Sequence, residues 1–353
     1  MEFRRILLLS HEMTYTGAPN SLLNVARTLR RHGHFVSIYT LHGGPFVKEF
    51  HRCGFRVHYY DDNNYTECER KKLAEKYDLM IANTVFCAKA AYSMQSFVKT
   101  ILYLREAENL PEILENCNID SRYISCADNV VCVSEYAKSF IQKTYSPKKL
   151  MVIHNFLVKR KFLKNRPNRT EDGKVHFLIA ATIEKRKGID IAIKAYELLP
   201  DEIKAKSVLH IAGRRPEWSE DYWKTLDLEN NPGIVYHGEI SDRKLMDKLI
   251  SEMNVIVVPS YDESCSLTVL EGAMHAKALI VTENVGAKYL VTDNNGYIVK
   301  TGCPESLSKA MTKIIDESAR LEEYGQESVK RYKEDCTSKL YYKRIKKLFN
   351  ELR

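Results

Sequence analysis

Short apolar runs recur along this chain, each followed by a polar or glycine-bearing loop and then by residues with helical spacing. Ile6-Leu-Leu-Leu-Ser10 is the first run. After the loop His11–Pro19, Leu22, Leu23, Ala26 and Leu29 fall on one face, which predicts a helix over 20–31. Gly33 closes that helix, and Phe35–Thr40 reads as a second strand. A short helix follows Gly43-Gly44-Pro45, then a third strand at Val57–Tyr60. Asp78–Asn83, Ile101–Leu104 and Val130–Ser134 are the next three, the last running into a helix over 135–144. Strands alternating with helices imply parallel βαβ units and a doubly wound α/β domain. Ligand groups in such a domain collect at the carboxyl ends of the strands. Here those ends are the Thr14–Gly17 loop, Asn83, Arg105-Glu106 and Ser134.

The second half restarts the pattern. Val175–Ala181, Val208–Ala212, Ile234–Tyr236, Val255–Val258, Ala278–Val281 and Gly296–Val299 read as strands of a second doubly wound domain. Between the halves lies Lys159-Arg-Lys-Phe-Leu-Lys-Asn-Arg-Pro-Asn-Arg169, which is basic, polar and turn-rich. It reads as a linker, with a nucleic-acid-binding tail as the alternative. The expected domains are 1–158, a linker over 159–173, a second domain over 174–325 and a helical terminal segment over 326–353. Near the end Tyr341, Ile345, Leu348 and Leu352 mark an apolar stripe, with Lys343, Arg344, Lys346 and Lys347 on or near the other face. A packed helix and a helix lying in a membrane interface both fit that pattern.

Composition narrows the classes. The 353 residues suit two domains, and 44% hydrophobic with 28% charged residues is ordinary for a soluble globular chain. No apolar run approaches the ~20 residues of a membrane span. The apolar run after Arg5 is too brief for a secretion signal and is followed by His11-Glu12. Nine cysteines without a Cys-x-x-Cys pair point to a reducing cytoplasm and no structural zinc. Cys126 and Cys132, among apolar neighbours, read as small buried hydrophobes. A net charge of +8 admits nucleic acid, anionic membrane or phosphorylated small molecules as partners.

Chemistry concentrates in the second half. Glu263-Ser-Cys-Ser-Leu-Thr-Val-Leu-Glu271 follows the apolar run Val255–Val258. Eight positions on a helix are a little over two turns, so both glutamates can face nearly the same side. Read alone, the stretch is equally an ordinary strand-to-helix junction with two solvated acids. Lys185, Arg186 and Lys187 precede Gly188 at the mouth of another helix, where fixed cations and free N–H groups suit a diphosphate. Arg214 and Arg215 after Gly213 lie on the same sheet edge. Two βα loops of one parallel sheet can converge on one ligand, which makes the acid pair and the Lys187-Gly188 loop more specific together than apart. His210 and His237 read as structural, and Trp218, Tyr222 and Trp223 as a packing cluster, with a sugar platform as the alternative.

These features resemble the family 4 retaining glycosyltransferases: Glu263-x7-Glu271, Lys187-Gly188, Gly17 in a Thr-Gly-Ala loop, and Val133-Ser-Glu135 before a helix. Glu271-Gly-Ala-Met-His-Ala-Lys-Ala-Leu-Ile-Val is similar to that family's Glu-Ala-Met-Ala-x-Gly-x-Pro-Val-Ile stretch. The resemblance implies the GT-B fold, two doubly wound Rossmann-like domains facing a cleft, with a C-terminal helix packing back on the N-domain. It implies that Glu271 binds the ribose of a nucleotide sugar and that Glu263 holds hydroxyls of the donor sugar. Lys187, Arg186 and the N–H groups near Ser266 and Leu267 would take the diphosphate, with Gly17 approaching from the first domain. Glu263 is then an electrostatic and binding group rather than a nucleophile.

The expected activity is metal-independent transfer of a hexose, a UDP-sugar favoured as donor, to a carbohydrate or lipid-linked saccharide acceptor in surface polysaccharide or glycoconjugate synthesis. No cofactor, metal or nucleic acid is expected, and peripheral contact with an anionic membrane at the inner face fits the basic character. A non-catalytic sugar-nucleotide-binding subunit and a GT-B sugar-nucleotide epimerase are the alternatives. Three departures from the family stand out: Ala181-Thr182 where Gly-Arg is usual, Ser266 where Gly is usual, and Arg105-Glu106 where relatives often carry His. Arg105, a catalytic candidate with Glu263 and Lys187, cannot serve as a base near neutral pH but can pin the donor sugar or an acceptor phosphate, while Glu106 offers an acid. His11, which either touches donor or acceptor or is an exposed loop residue, is grouped with Asn83 and Glu106 as acceptor or unassigned candidates, and His154-Asn155 resembles a hinge-positioning pair.

Overall fold

The computed structural model describes residues 4–61, 63–158, 168, 172–228 and 231–352. The chain divides into two compact units, Met1–Val158 with Thr337–Arg353, and Lys159–Cys336. Most of the expected linker, 159–167 and 169–171, lies outside the described residues.

The first unit holds seven parallel strands: β1 (Arg5–Ser10), β2 (Phe35–Thr40), β3 (Val57–Tyr59), β4 (Leu79–Asn83), β5 (Lys99–Leu104), β6 (Val130–Cys132) and β7 (Leu150–Val152). Their order is β3-β2-β1-β4-β5-β6-β7. Chain direction across the sheet therefore reverses between β1 and β4, the place where doubly wound folds open a binding crevice. Register brings the polar strand ends level. Ser10 pairs with Thr40 on one side and Asn83 on the other, and Asn83 pairs with Tyr103. The central strands are apolar and buried because helices cover both faces. The edge strand β7 escapes the sequence pattern, since it is three half-buried residues long.

The predicted helix over 20–31 begins earlier, at Gly17. Thr16 is extended and serves as its N-cap position, and Pro19 is tolerated in a first turn that has no intrahelical partner for its nitrogen.

The second unit has six parallel strands: β8 (Val175–Ala180), β9 (Ser207–Ala212), β10 (Ile234–Tyr236), β11 (Val255–Val258), β12 (Ala278–Thr282) and β13 (Gly296–Val299). The order β10-β9-β8-β11-β12-β13 places its switch point between β8 and β11.

The terminal stretch resolves into two helices in different units. Helix Leu321–Asp335, which includes 326–335 of the expected terminal segment, belongs to the second unit; helix Ser338–Glu351 belongs to the first. The latter buries Tyr341, Tyr342, Ile345, Leu348 and Phe349. Tyr342 stacks on His32 at 3.6 Å, and Phe156 on Tyr341 at 4.3 Å. Its apolar stripe is thus consumed by packing, and the interfacial-helix reading is set aside. Lys343, Lys346 and Lys347 remain exposed. No helix among the described residues is long and apolar enough to cross a membrane.

Three smaller expectations are corrected. Cys132 is buried, its thiol pushed up to about 12 by desolvation, but Cys126 is exposed. It occupies the C-cap of helix Arg122–Ser125, where Ile124 and Ala127 take the inward positions. Trp218 is 68% exposed on the turn Glu217–Ser219, whose inward residue is Ser219. Tyr222 and Trp223 do pack, Tyr222 donating to Asp190 at 2.8 Å and Trp223 lying against Tyr236. His210 and His237 belong to a row of imidazoles across the sheet. His176 Nδ1 and His237 Nε2 each lie 2.9 Å from a ring nitrogen of His210.

Candidate active site

The second unit's site begins with Gly188. Its φ is +65°, and a Cβ there would lie 2.1 Å from the Pro259 carbonyl at the end of β11. Only glycine lets the loop after β8 come that close. The approach is sealed by Tyr261 N–H donating to the Arg186 carbonyl at 2.8 Å. It sets Lys187 and Arg186 against the loop after β11, at the switch point.

Lys187 Nζ donates to Glu263 Oε2, and Arg186 Nη1 lies 3.6 Å from the same oxygen. Arg186 is itself fixed, donating to the Asp262 carbonyl at 2.9 Å and to Glu184 at 2.7 Å. Burial pushes the Glu263 carboxyl up, but Lys187 and Arg186 outweigh it and hold it below the usual carboxylate range. Burial acts on Arg186 too, and Glu263, Glu184 and Asp262 overcome it to keep the guanidinium charged. The cluster is an ionised carboxylate wedged between two cations.

Glu263 is not helical. It sits in an extended segment bridged to Val285, with its N–H donating to Asn284 and its carbonyl accepting from Gly286. Helix Leu267–Met274 starts four residues later. The two glutamates therefore do not share a helix face, as the eight-residue spacing suggested. Each has its own cation instead. Glu271, buried in that helix, accepts from Arg243 of helix Arg243–Glu252. Arg243 also lies 3.4 Å from Asp247, which is 3.3 Å from His275 Nε2. Arg243, Asp247 and His275 escaped the sequence reading. Asp242 as N-cap and the Arg243–Asp247 spacing signal a helix start, not a site.

Ser266 is the N-cap of helix Leu267–Met274 but makes no side-chain cap hydrogen bond. Its hydroxyl therefore does not compete for the first-turn N–H groups of Leu267 and its successors. Thr268 Oγ1 donates to the Ala180 carbonyl at 2.9 Å, tying this helix to β8. Arg215 turns away, pairing with Glu220 at 3.2 Å and stacking over Trp223.

The first unit's carboxyl edge also gathers its predicted residues. His11 after β1 lies 3.0 Å from Thr84 Oγ1 and 3.4 Å from Glu12, and stacks on Phe86. Hydrogen bonding from His11 lowers the Glu12 carboxyl to about 2, with Thr14 and Thr16 contributing against burial. Thr84 holds a φ of +84°, unusual for a β-branched residue, at the crevice beside β1. Arg105 after β5 donates to Asn83 and to Asn155, each at 2.6 Å, and its guanidinium lies 4.7 Å from the Tyr103 ring. Glu106 is buried and accepts from the Arg105 and Val85 N–H groups, yet burial still raises its pKa. Gly17 opens the first turn of its helix in an exposed position. Among the described residues no group of three or more His, Cys, Asp or Glu has the arrangement to hold a metal ion.

Comparison with known proteins bears on both units. Residues 160–331 match the family described as "Glycosyl transferases group 1", and residues 2–103 match "Glycosyl-transferase family 4". An uncharacterized glycosyltransferase of Methanocaldococcus jannaschii is 26% identical over 64% of this chain and 59% of its own. The capsular polysaccharide biosynthesis glycosyltransferase CapM of Staphylococcus aureus is 25% identical over 48% of this chain and 44% of its own. In both cases the matched region is less than two thirds of the relative's length. Among solved structures, HepE of Anabaena in complex with UDP-glucose superposes with a TM-score of 0.79 at 17% identity, covering 99% of this chain and 100% of that one. At that identity the likeness is one of fold.

Proposed function

The chain belongs to the family 4 (group 1) glycosyltransferases and has the GT-B fold, and from that premise we propose that it transfers a hexose from a UDP-sugar, with retention, to a saccharide or lipid-linked saccharide acceptor. The observation that carries this reading is the Lys187–Glu263–Arg186 cluster at the switch point of the second sheet. Two cations beside a helix N-terminus match a diphosphate, and an ionised carboxylate between them matches sugar hydroxyls.

In this reading Glu271 binds the ribose diol, and Arg243 holds the Glu271 carboxylate in place until the diol arrives. The bond between the anomeric carbon and the β-phosphate oxygen breaks, and charge accumulates on the leaving UDP. In this reading Lys187, Arg186 and the N–H groups at Ser266 and Leu267 stabilise that charge as it grows. The acceptor hydroxyl attacks the same face, and its proton passes to the departing phosphate oxygen. Glu263 steadies the oxocarbenium-like centre and its hydroxyls without bonding to it. The proposed acceptor residues are His11, Asn83, Arg105 and Glu106. Arg105, pinned by Asn83 and Asn155, binds acceptor oxygen or phosphate and cannot take a proton.

These cations also support a reaction that needs no divalent metal, so turnover is expected to survive chelation by EDTA. Capsular polysaccharide synthesis, named for a relative, supports an acceptor of the surface-polysaccharide kind. Exposed Lys343, Lys346 and Lys347 support peripheral contact with an anionic membrane in the cytoplasm, each adding about 1 kcal/mol near such a surface. Flotation with phosphatidylglycerol vesicles tests that contact. Release of UDP from UDP-sugars, with and without saccharide acceptors, tests the activity itself.

A further inference from the structure

The two carboxyl edges leave one concentration of charge unexplained. Arg27, Arg30 and Arg31 sit at i, i+3 and i+4 of helix Gly17–Arg31, so they share one face. With Arg52 and Cys53 they line a surface cavity of about 430 Å3. The helix begins at the carboxyl edge of its sheet and runs for 15 residues. Its last turn therefore lies ~20 Å from that edge, toward the amino ends of the strands. The cavity is separate from His11, Asn83, Arg105 and Glu106.

Helix-end chemistry accounts for half of these cations. Arg30 donates to the carbonyls of Cys53 and Gly54, at the end of helix Val47–Arg52, and lies 3.9 Å from the Phe55 ring centroid. Arg52 pairs with Glu49 at 2.6 Å. Arg27 and Arg31 have neither a hydrogen bond nor an ion pair with any described residue. Two like charges one turn apart repel and gain nothing from each other. Four guanidinium groups around one cavity, against the single paired carboxylate of Glu49 among the described residues, leave a local excess of positive charge.

Guanidinium forks match the oxygens of a phosphoryl group two at a time, and the volume falls within the range of small-ligand sites. We propose that the Arg27–Arg30–Arg31–Arg52 cavity is an anion site, distinct from the donor edge, that binds an anionic phosphoryl group. The phosphoryl group comes from a soluble phosphorylated molecule or from a lipid headgroup. Arg30, already anchored by two carbonyls and a ring, is the fixed wall of the site. Arg27 and Arg31 close on the ligand.

The test is residue-resolved modification of the full chain by phenylglyoxal, read by mass spectrometry, because a diphosphate also has the donor edge to enter. One arm adds inorganic pyrophosphate; the second adds phosphatidylglycerol vesicles, with phosphatidylcholine vesicles as control. Modification of Arg27 and Arg31 is expected to slow at least fivefold, with Arg215 unchanged. Protection by pyrophosphate assigns a soluble ligand, and protection by phosphatidylglycerol vesicles alone assigns a lipid phosphate. In the Arg27→Gln/Arg31→Gln variant, protection of Arg52 should disappear while UDP release is unaltered. No protection in either arm, or equal slowing at Arg215, overturns the proposal.

Discussion

At the residue scale each carboxylate of the second unit's site has its own cation. Glu263 is clasped by Lys187 and Arg186, Glu271 by Arg243. If Lys187 faces the leaving phosphate as proposed, kcat of Lys187→Ala should fall by about 10²-fold or more, the loss typical of a transition-state donor. An unchanged kcat in steady-state assays would make Lys187 a structural partner of Glu263 rather than a donor to the leaving phosphate. Glu271→Ala should weaken UDP binding at least tenfold by calorimetry, since hydrogen bonds to a charged group are worth about 1.5–3 kcal/mol. Acceptor KM should stay nearly level. Arg243→Ala should weaken UDP binding less, and the double variant should fall short of the sum, because Arg243 acts through Glu271. Additive losses would show that Arg243 works independently.

At the element scale, closeness of loop to strand end is what assembles the site. Gly188→Ala would force a Cβ into the Pro259 carbonyl at a backbone angle that side chains disfavour. A loss of about 2 kcal/mol or more in urea unfolding is expected, with donor affinity falling alongside. The imidazole row across β8 and β9 makes a second prediction. Burial, with His176 and His237 nearby, lowers His210 from 6.5 to about 4. A folded pKa below the unfolded one favours the neutral ring, so this contribution is full above pH 6.5 and is lost as pH falls toward 4. Melting temperature should drop across that window, and the drop should be smaller in His210→Gln. An equal drop in both would assign acid sensitivity elsewhere.

This scale is also where reading from sequence reached its limit. The runs Ile6–Ser10 and Val255–Val258 gave up their strands because full burial leaves only apolar residues. Lys187-Gly188 and Glu263 were legible as neighbours because parallel strands carry their loops to one edge. The helical reading of Glu263 failed because spacing alone cannot tell an extended loop bridged to Val285 from a helix turn. Arg243 was invisible for a related reason: it meets Glu271 through tertiary packing, 28 positions away, with no local signal.

At the scale of the whole molecule, two doubly wound units each gather polar groups at the switch point of their own sheet, Lys187 and Glu263 in one, His11 and Thr84 in the other. The family matches fall in both units, residues 2–103 in the first and 160–331 in the second. Division of the chain was legible from the restart of the strand pattern at Val175. The return of helix Ser338–Glu351 to the first unit was legible only through the family resemblance, since an apolar stripe does not name its partner. If the leaving UDP is stabilised by side chains and a helix N-terminus, EDTA should leave the rate within about twofold, far from the several kcal/mol a catalytic metal supplies. A collapse of rate restored by a divalent cation would contradict that.

The most direct test measures UDP release from a panel of UDP-sugars, each with and without saccharide and lipid-linked acceptors, for the wild type beside Lys187→Ala. Release that requires an acceptor and drops by about 10²-fold or more in the variant is the predicted result. Tight UDP binding without release for any pair, or conversion of the donor in the absence of acceptor, would contradict it.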